Sequence, residues 1–375
     1  MKHQQYIVRT PQELPASPDP SVDLVLGFGN KALLECGSIY SRLQALYQNA
    51  TVGLCSTAGE IYGGEVSDRS LSVLTLSFAH TRVRHRGVLT EAFADSFAAG
   101  QALVTDLEAD DLQLIILLSD GALVNGSELV KGIQSVIPDR IPITGGLAGD
   151  GADFQYTLVG LNEEPRRGRI VAIGLYGNRL KVAHGSCGGW QPFGVQRVVT
   201  KSSGNELFEI DGKNALAIYK RYLGNHAADL PGSALHFPLS MEQEDGGYLV
   251  RSILKIDEER QSMIFAGDLP EGSRVRFMMA NLDRLTEAAS TAARLALATE
   301  KAITPQVAIL ISCLGRRVVL GDRVDEEVEA VREVFGPDTV LTGYYSYGEI
   351  SPLLNGGPCA LHNQTMTITC LEELP

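Results

Sequence analysis

The chain has 375 residues, 44% of them hydrophobic and 21% charged, the balance of a globular protein of about two domains. Its formal net charge is −13, with no run of Lys or Arg longer than two, which excludes sequence-independent nucleic-acid binding through clustered cations. No window approaches eighteen consecutive apolar residues, so no membrane insertion is expected.

The first residues, through the proline-rich stretch Pro11 to Pro20, lack the apolar core of a secretory signal. Residues 1–21 are expected to form a flexible lead-in. The six cysteines, Cys36, Cys55, Cys187, Cys313, Cys359 and Cys370, show no CxxC spacing. Free thiols in a cytoplasmic protein are the expectation.

From Asp23 the periodicities alternate. "DLVLGF" reads as a strand, and Lys31 to Gln48 places Leu33, Cys36, Tyr40, Leu43 and Tyr47 on one helical stripe. "TVGLCSTAGEIYGG" and the strand "LSVLTLSF", which alternates like a half-buried one, follow. The basic "RVRHRG" (Arg82 to Gly87) reads as a charged sheet edge, or as a surface for an acidic partner. A looser copy then comes: "LQLIILLS", a helix in "SELVKGIQSVI", "IPITGGLAGDGADF" and "YTLVGL". Ile170 to Thr200 is strand-rich, Asn214 to Leu223 helical, and 247–280 a three-strand meander. An Ala-rich helix spans Leu282 to Glu300. The last copy has a strand "VAILISCL", a helix from Asp325 ended by Gly336-Pro337, then "TVLTGYYSYGEI" and "TMTITCL". Strand, helix, strand with a small-residue turn, and strand thus recur three times, which predicts a mixed α/β fold of repeated units with mixed sheets. The domain boundary is placed near Gly212, giving modules 22–212 and 213–375.

Chemistry-bearing residues concentrate in the repeated turns. Gly145, Gly146, Gly149 and Gly151, with Asp150 among them, lead into a strand rather than a helix and lack the Gly-Lys-Ser/Thr of a P-loop. They serve tight turns or a backbone nest for a carboxylate. Cys55 and Ser56 lack the GxSxG elbow. His184 and Cys187 are three apart with no second pair, so no metal or other cofactor is expected. Glu60 and Glu349 each follow a turn glycine. Each either accepts backbone N–H groups and braces its loop, or holds a ligand amine. Tyr344, Tyr345 and Tyr347 in "GYYSYGE", with Ser346 between them, line a cavity or fill the core, and Trp190 in "GGWQPFG" is a core residue or a ligand platform.

Together "GLCSTAGEI", "GGLAGDGADF", "HGSCGGWQPFG", "TKSSGNELFEIDGKNALAIYKRYLG", "GDLPEGSRVRFMM" and "TGYYSYGEISP" with "LHNQTMTITCL" resemble the FIST sensory domains, an N-terminal followed by a C-terminal module. The resemblance runs from about Val22 to near the end. It implies a bacterial sensory or signal-transduction role, a small ligand such as an amino acid, and no established catalysis. In the family such modules also occur fused to output domains. This chain shows none, so the resemblance implies a separate partner such as a histidine kinase or a cyclic-dinucleotide protein. Two other readings stay open: a hydrolase or transferase using Cys55, Cys187 or Cys313, and a scaffold that binds protein alone.

Overall fold

The computed structural model describes residues 1–230, 232–243, 247–298, 303–352 and 357–375. The first repeat comprises β1 (Lys2–Val8), β2 (Leu24–Gly29), helices α1 (Lys31–Leu34) and α2 (Ile39–Leu46), β3 (Thr51–Ser56), β4 (Glu60–Tyr62), β5 (Glu65–Ser67) and β6 (Leu71–Ser77). The second has β7 (Arg82–Leu89), α3 (Ser96–Val104), β8 (Leu112–Ser119), α4 (Gly126–Gln134), β9 (Ile143–Leu147), β10 (Val159–Leu161) and β11 (Arg169–Tyr176).

The third opens with β12 (Leu180–Cys187) and is then interrupted. An insert of β13 (Gln191–Ser203), β14 (Glu206–Ile210), β15 (Lys213–Asn214), α5 (Ala215–Leu223), β16 (Leu239–Glu242), β17 (Tyr248–Arg251), β18 (Ile253–Asp257), β19 (Ser262–Phe265) and β20 (Arg274–Met279) forms an eight-stranded sheet of its own. The repeat resumes with α6 (Leu282–Leu297), β21 (Val307–Cys313), α7 (Leu314–Leu320), α8 (Val324–Phe335), β22 (Val340–Ser346), β23 (Gly348–Pro352), β24 (Cys359–His362) and β25 (Met366–Glu373).

Each repeat builds the same sheet core. Its first strand lies parallel to its second and antiparallel to its closing strand: β2 with β3 and β6, β8 with β9 and β11, β21 with β22 and β25. The strand preceding each repeat's first strand becomes the edge next to the closing strand, as β1, β7 and β12 do. A hook strand after the second strand then leaves its own sheet. β4 joins β22, β23 joins β9 and β10 joins β3. The three repeats therefore form a closed ring, each extending the sheet of another.

That exchange explains several departures from the sequence reading. The lead-in is not loose over its first part, because Lys2–Val8 pairs with β6 along its whole length and Gln5 donates its side-chain amide to the Leu341 carbonyl at 2.7 Å. β6 is buried rather than half-buried, since Leu74 and Leu76 on one face pack into one hydrophobic core and Leu71 and Val73 on the other face into a second. "YTLVGL" supplies the hook β10; the closing strand of the second repeat is β11. The helix expected over Lys31 to Gln48 breaks at Gly37, whose φ of +68° ends α1 and lets α2 start anew. α7 was not expected, and the meander is part of the larger insert sheet. Of the Ala-rich helix, Leu282–Leu297 is observed, while residues 299–300 lie outside the described residues. Strands from both sides of Gly212 share three of the four sheets, so the two sequence modules are interlaced rather than separate bodies. Charged β7 is a sheet edge, with Arg82 and Arg86 paired to Asp111 and Asp106.

Candidate functional site

The hook turns meet because each second strand ends pointing at the ring centre. There Ala58 donates to the Tyr345 carbonyl and Tyr345 to the Gly59 carbonyl, both at 2.8 Å. Tyr347 donates to Leu147 at 3.1 Å and Gly149 to Ser56 at 3.0 Å. The turns of all three repeats are thus tied by backbone bonds, and most of the sequence-selected residues lie inside this knot.

Cys55 is buried beside Tyr344, which stacks on Phe28 at 4.9 Å; burial pushes the Cys55 thiol far above its usual value. Ser56 accepts from the Leu158 N–H at 2.9 Å. Gly145 has a φ of +150°, and a Cβ there would sit 1.9 Å from the Leu117 carbonyl oxygen; a Cβ on Gly146 would approach the Gly348 carbonyl oxygen at 2.8 Å. These glycines serve close strand packing. The N–H groups of Gly149 and Gly151 are given to the Ser56 and Thr57 carbonyls at 3.0 and 3.1 Å.

The two glutamates are equivalent braces. Glu60 accepts from Thr57 Oγ1 at 2.6 Å, and from Ser70 Oγ and N–H at 2.7 and 3.2 Å. Glu349 accepts from Ser346 Oγ at 3.0 Å, and from Thr365 Oγ1 and N–H at 2.8 and 3.1 Å. Each clamps the residue just before its repeat's closing strand. Burial pushes both carboxyls up to about 7, against the hydrogen bonds that favour the charged form. Their oxygens are committed, so neither is placed to hold a ligand amine. His184 is buried in β12 and pushed down to about 4 by that burial. Trp190 is core: its indole donates to the Gln364 carbonyl at 2.8 Å and packs on Val250, Met278 and Leu285.

A cavity of about 450 Å3 opens where the second repeat, the third repeat and the insert meet. The loop Gly121 to Asn125 after β8, with Leu147, forms one wall, and Cys313 to Gly315 with Ser346 and Tyr347 forms the next. The insert supplies the remainder through Asn205, Ser252, Leu254 and Phe265 to Gly267, while Phe154 stands at the mouth. Both protein walls lie at the carboxyl ends of parallel strand pairs, β8 with β9 and β21 with β22, where open α/β sheets present their binding crevices. Of the residues chosen from sequence, the structure brings Ser346 and Tyr347 to this cavity. Asp150 stands behind them: burial alone would raise its carboxyl, but the Tyr347 hydroxyl, Lys31 and the N–H groups of Tyr156 and Gln155 hold it low.

Cys313 also faces the cavity. Its thiol lies beside the Glu349 carboxyl, and burial and that neighbour push it well above the usual range. Cys187 is raised too, by burial. Neither presents the lowered pKa of a reactive thiolate. No group of three metal-ligating side chains occurs among the described residues, nor does any helix there suffice to cross a membrane. Sequence reasoning missed Ser252, Asn205, Asn125 and Leu123. The signal for the last two was the turn-forming Asp-Gly and Asn-Gly pairs of "DGALVNG" directly after an apolar parallel strand.

The FIST N domain family matches residues 23–213 and the FIST C domain family residues 215–352. Over 248 residues the chain is 23% identical to an uncharacterized protein of Methanocaldococcus jannaschii, an alignment taking in 61% of this chain and 46% of that protein. The chain thus spans about half that relative's length.

Proposed function

The chain belongs to the FIST family, whose domains are associated with sensory signal transduction, and on that premise we propose that it is a cytoplasmic sensor that binds a small molecule in the cavity between repeats and insert. The observation that carries this reading is the cavity's three-sided construction. An occupant touches two repeats and the insert at once, so its affinity depends on how those bodies sit together, and differential affinity is what shifts a conformational equilibrium. Its size falls in the range of small-ligand sites, and apolar and polar groups both line it.

Polar ties seat the insert over the cavity, among them Lys131 to Asp268 at 3.2 Å and the Ser252 N–H to Asn363 at 3.4 Å. Asn125 donates to Asp268 at 3.1 Å, Gln364 to the Leu235 carbonyl at 3.2 Å, and Arg251 to the Leu361 carbonyl at 3.0 Å. Ser346 on the wall, Glu349 behind it and Thr365 next to Gln364 join the cavity to that seam. We infer that occupancy adjusts the seat of the insert and that a separate partner, such as a histidine kinase or a cyclic-dinucleotide protein, reads the change. An amino acid remains in the ligand panel as the resemblance suggests, although the turn glutamates do not support its ammonium. A thermal-unfolding screen of amino acids and other metabolites tests the proposal. A ligand-dependent rise in Tm is expected, and a flat response across a broad panel would count against it.

A further inference from the structure

Resting on that reading, we propose that the cavity selects an uncharged molecule with an aromatic body and a hydrogen-bonding head, of the class of neutral aromatic amides and alcohols. No Asp, Glu, Lys, Arg or His is among its described lining residues. A charged head entering it would lose water without meeting an opposite charge, which disfavours binding strongly. The charges standing behind the wall are already engaged. Asp120 accepts from the N–H groups of Ala122, Leu123 and Gly168. Arg251 lies behind Gly267 and gives its N–H groups to the carbonyls of Asp268, Val250 and Leu361.

What the cavity does offer is a neutral hydroxyl. Ser252 is 3% exposed and lines the site, and its Oγ has no hydrogen-bond partner among the described residues. A buried hydroxyl left unpaired is costly to the folded chain, and a ligand that donates or accepts there removes the cost.

The mouth supplies the apolar half. Phe154, Leu123 and Leu254 are 50%, 56% and 45% exposed, and all three line this one cavity. Phe154 is stacked on Tyr347 with ring centroids 4.9 Å apart. Its backbone lies in the left-handed region at φ +51°, which strains a non-glycine residue. Folding gains little burial in return from a ring left half in water. A flat ligand continuing the Phe154–Tyr347 stack would give the strained position a use.

Ligand-observed NMR on the full chain, with benzamide, benzyl alcohol, benzoate and benzylamine as probes, tests the class. The neutral pair should bind at least tenfold more tightly than the charged pair. Phe154→Ala should remove binding, and Ser252→Ala should weaken benzamide several-fold, both with unfolding temperatures close to that of the parent. If benzoate or benzylamine binds as well as the neutral probes, or the two variants bind like the parent, the proposed class is wrong while a small-ligand site remains. Silence from all four probes also overturns the class, and the metabolite screen then decides separately whether the cavity is a sensor site.

Discussion

Glu60 and Glu349 owe their raised carboxyls to burial, and that gives stability a pH signature. Between about pH 4.5 and about 7 the folded protein holds protons on them that the unfolded chain has released. The native state then binds more protons, so their contribution falls as pH rises through that window. His184 and His362, both pushed down to about 4 from 6.5, act oppositely: the unfolded chain binds more protons between those values, and their contribution rises with pH. The carboxyl part is isolated by comparing the parent with the double variant Glu60→Gln, Glu349→Gln in urea unfolding. The variant's stability relative to the parent is expected to improve steadily from pH 5 to 7.5, and a constant difference would remove the assignment. The thiols give a second expectation at this scale. Iodoacetamide at pH 7.5 should modify exposed Cys36 first and leave buried Cys55 and Cys313 unlabelled in the folded chain, as mass spectrometry of peptides would report. Rapid labelling of Cys313 would revive the cysteine-enzyme reading.

At the level of elements, the repeat was legible because each copy keeps an apolar first strand and a small-residue second strand. The reason for the small residues was not. Gly145 and Gly343 occupy the same place in β9 and β22, with φ of +150° and +152°, and a Cβ at either would fall within 2 Å of the neighbouring first strand's carbonyl oxygen. Gly343→Ala and Gly145→Ala should each destabilise by about 3 kcal/mol or more in chemical denaturation, combining backbone strain with overpacking. The hooks escaped sequence reasoning because strands of three to five residues carry almost no periodicity and their partners are set by ring closure. Likewise, nothing in "LGRRVVL" announces that Arg316 is wholly buried. Its guanidinium meets Glu327 at 2.6 and 3.0 Å, while Tyr345 and Ser312 donate to the other Glu327 oxygen. This network joins α7, α8 and β22, and it takes Tyr345, which the sequence reading had offered with Tyr344 and Tyr347 either to a cavity or to the core, into the buried interior. Glu327→Gln leaves the buried arginine without its counter-charge and should cost about 3–5 kcal/mol.

For the whole molecule, interlacing matters more than the number of domains. The FIST N and FIST C matches divide the chain near 214, yet each hook commits a repeat to the sheet of another, and the insert belongs within the third repeat. A ligand at the meeting point of two repeats and the insert is therefore held by segments from residue 121 to residue 347. Of the residues that line this cavity, the sequence reading had put Ser346 and Tyr347 forward as ligand contacts, because the aromatic turn stood out. The other walls come from the loop after β8 and from scattered insert residues, Asn205, Leu235 and those between Ser252 and Gly267, which come together only once the insert is seated. The most direct measurement is the metabolite thermal-unfolding screen run on the parent and on Ala122→Trp, which places an indole in the cavity from an exposed position. A ligand that raises the Tm of the parent and leaves that of the variant unchanged is the predicted result. A ligand that stabilises both equally would put the binding site elsewhere and contradict the account.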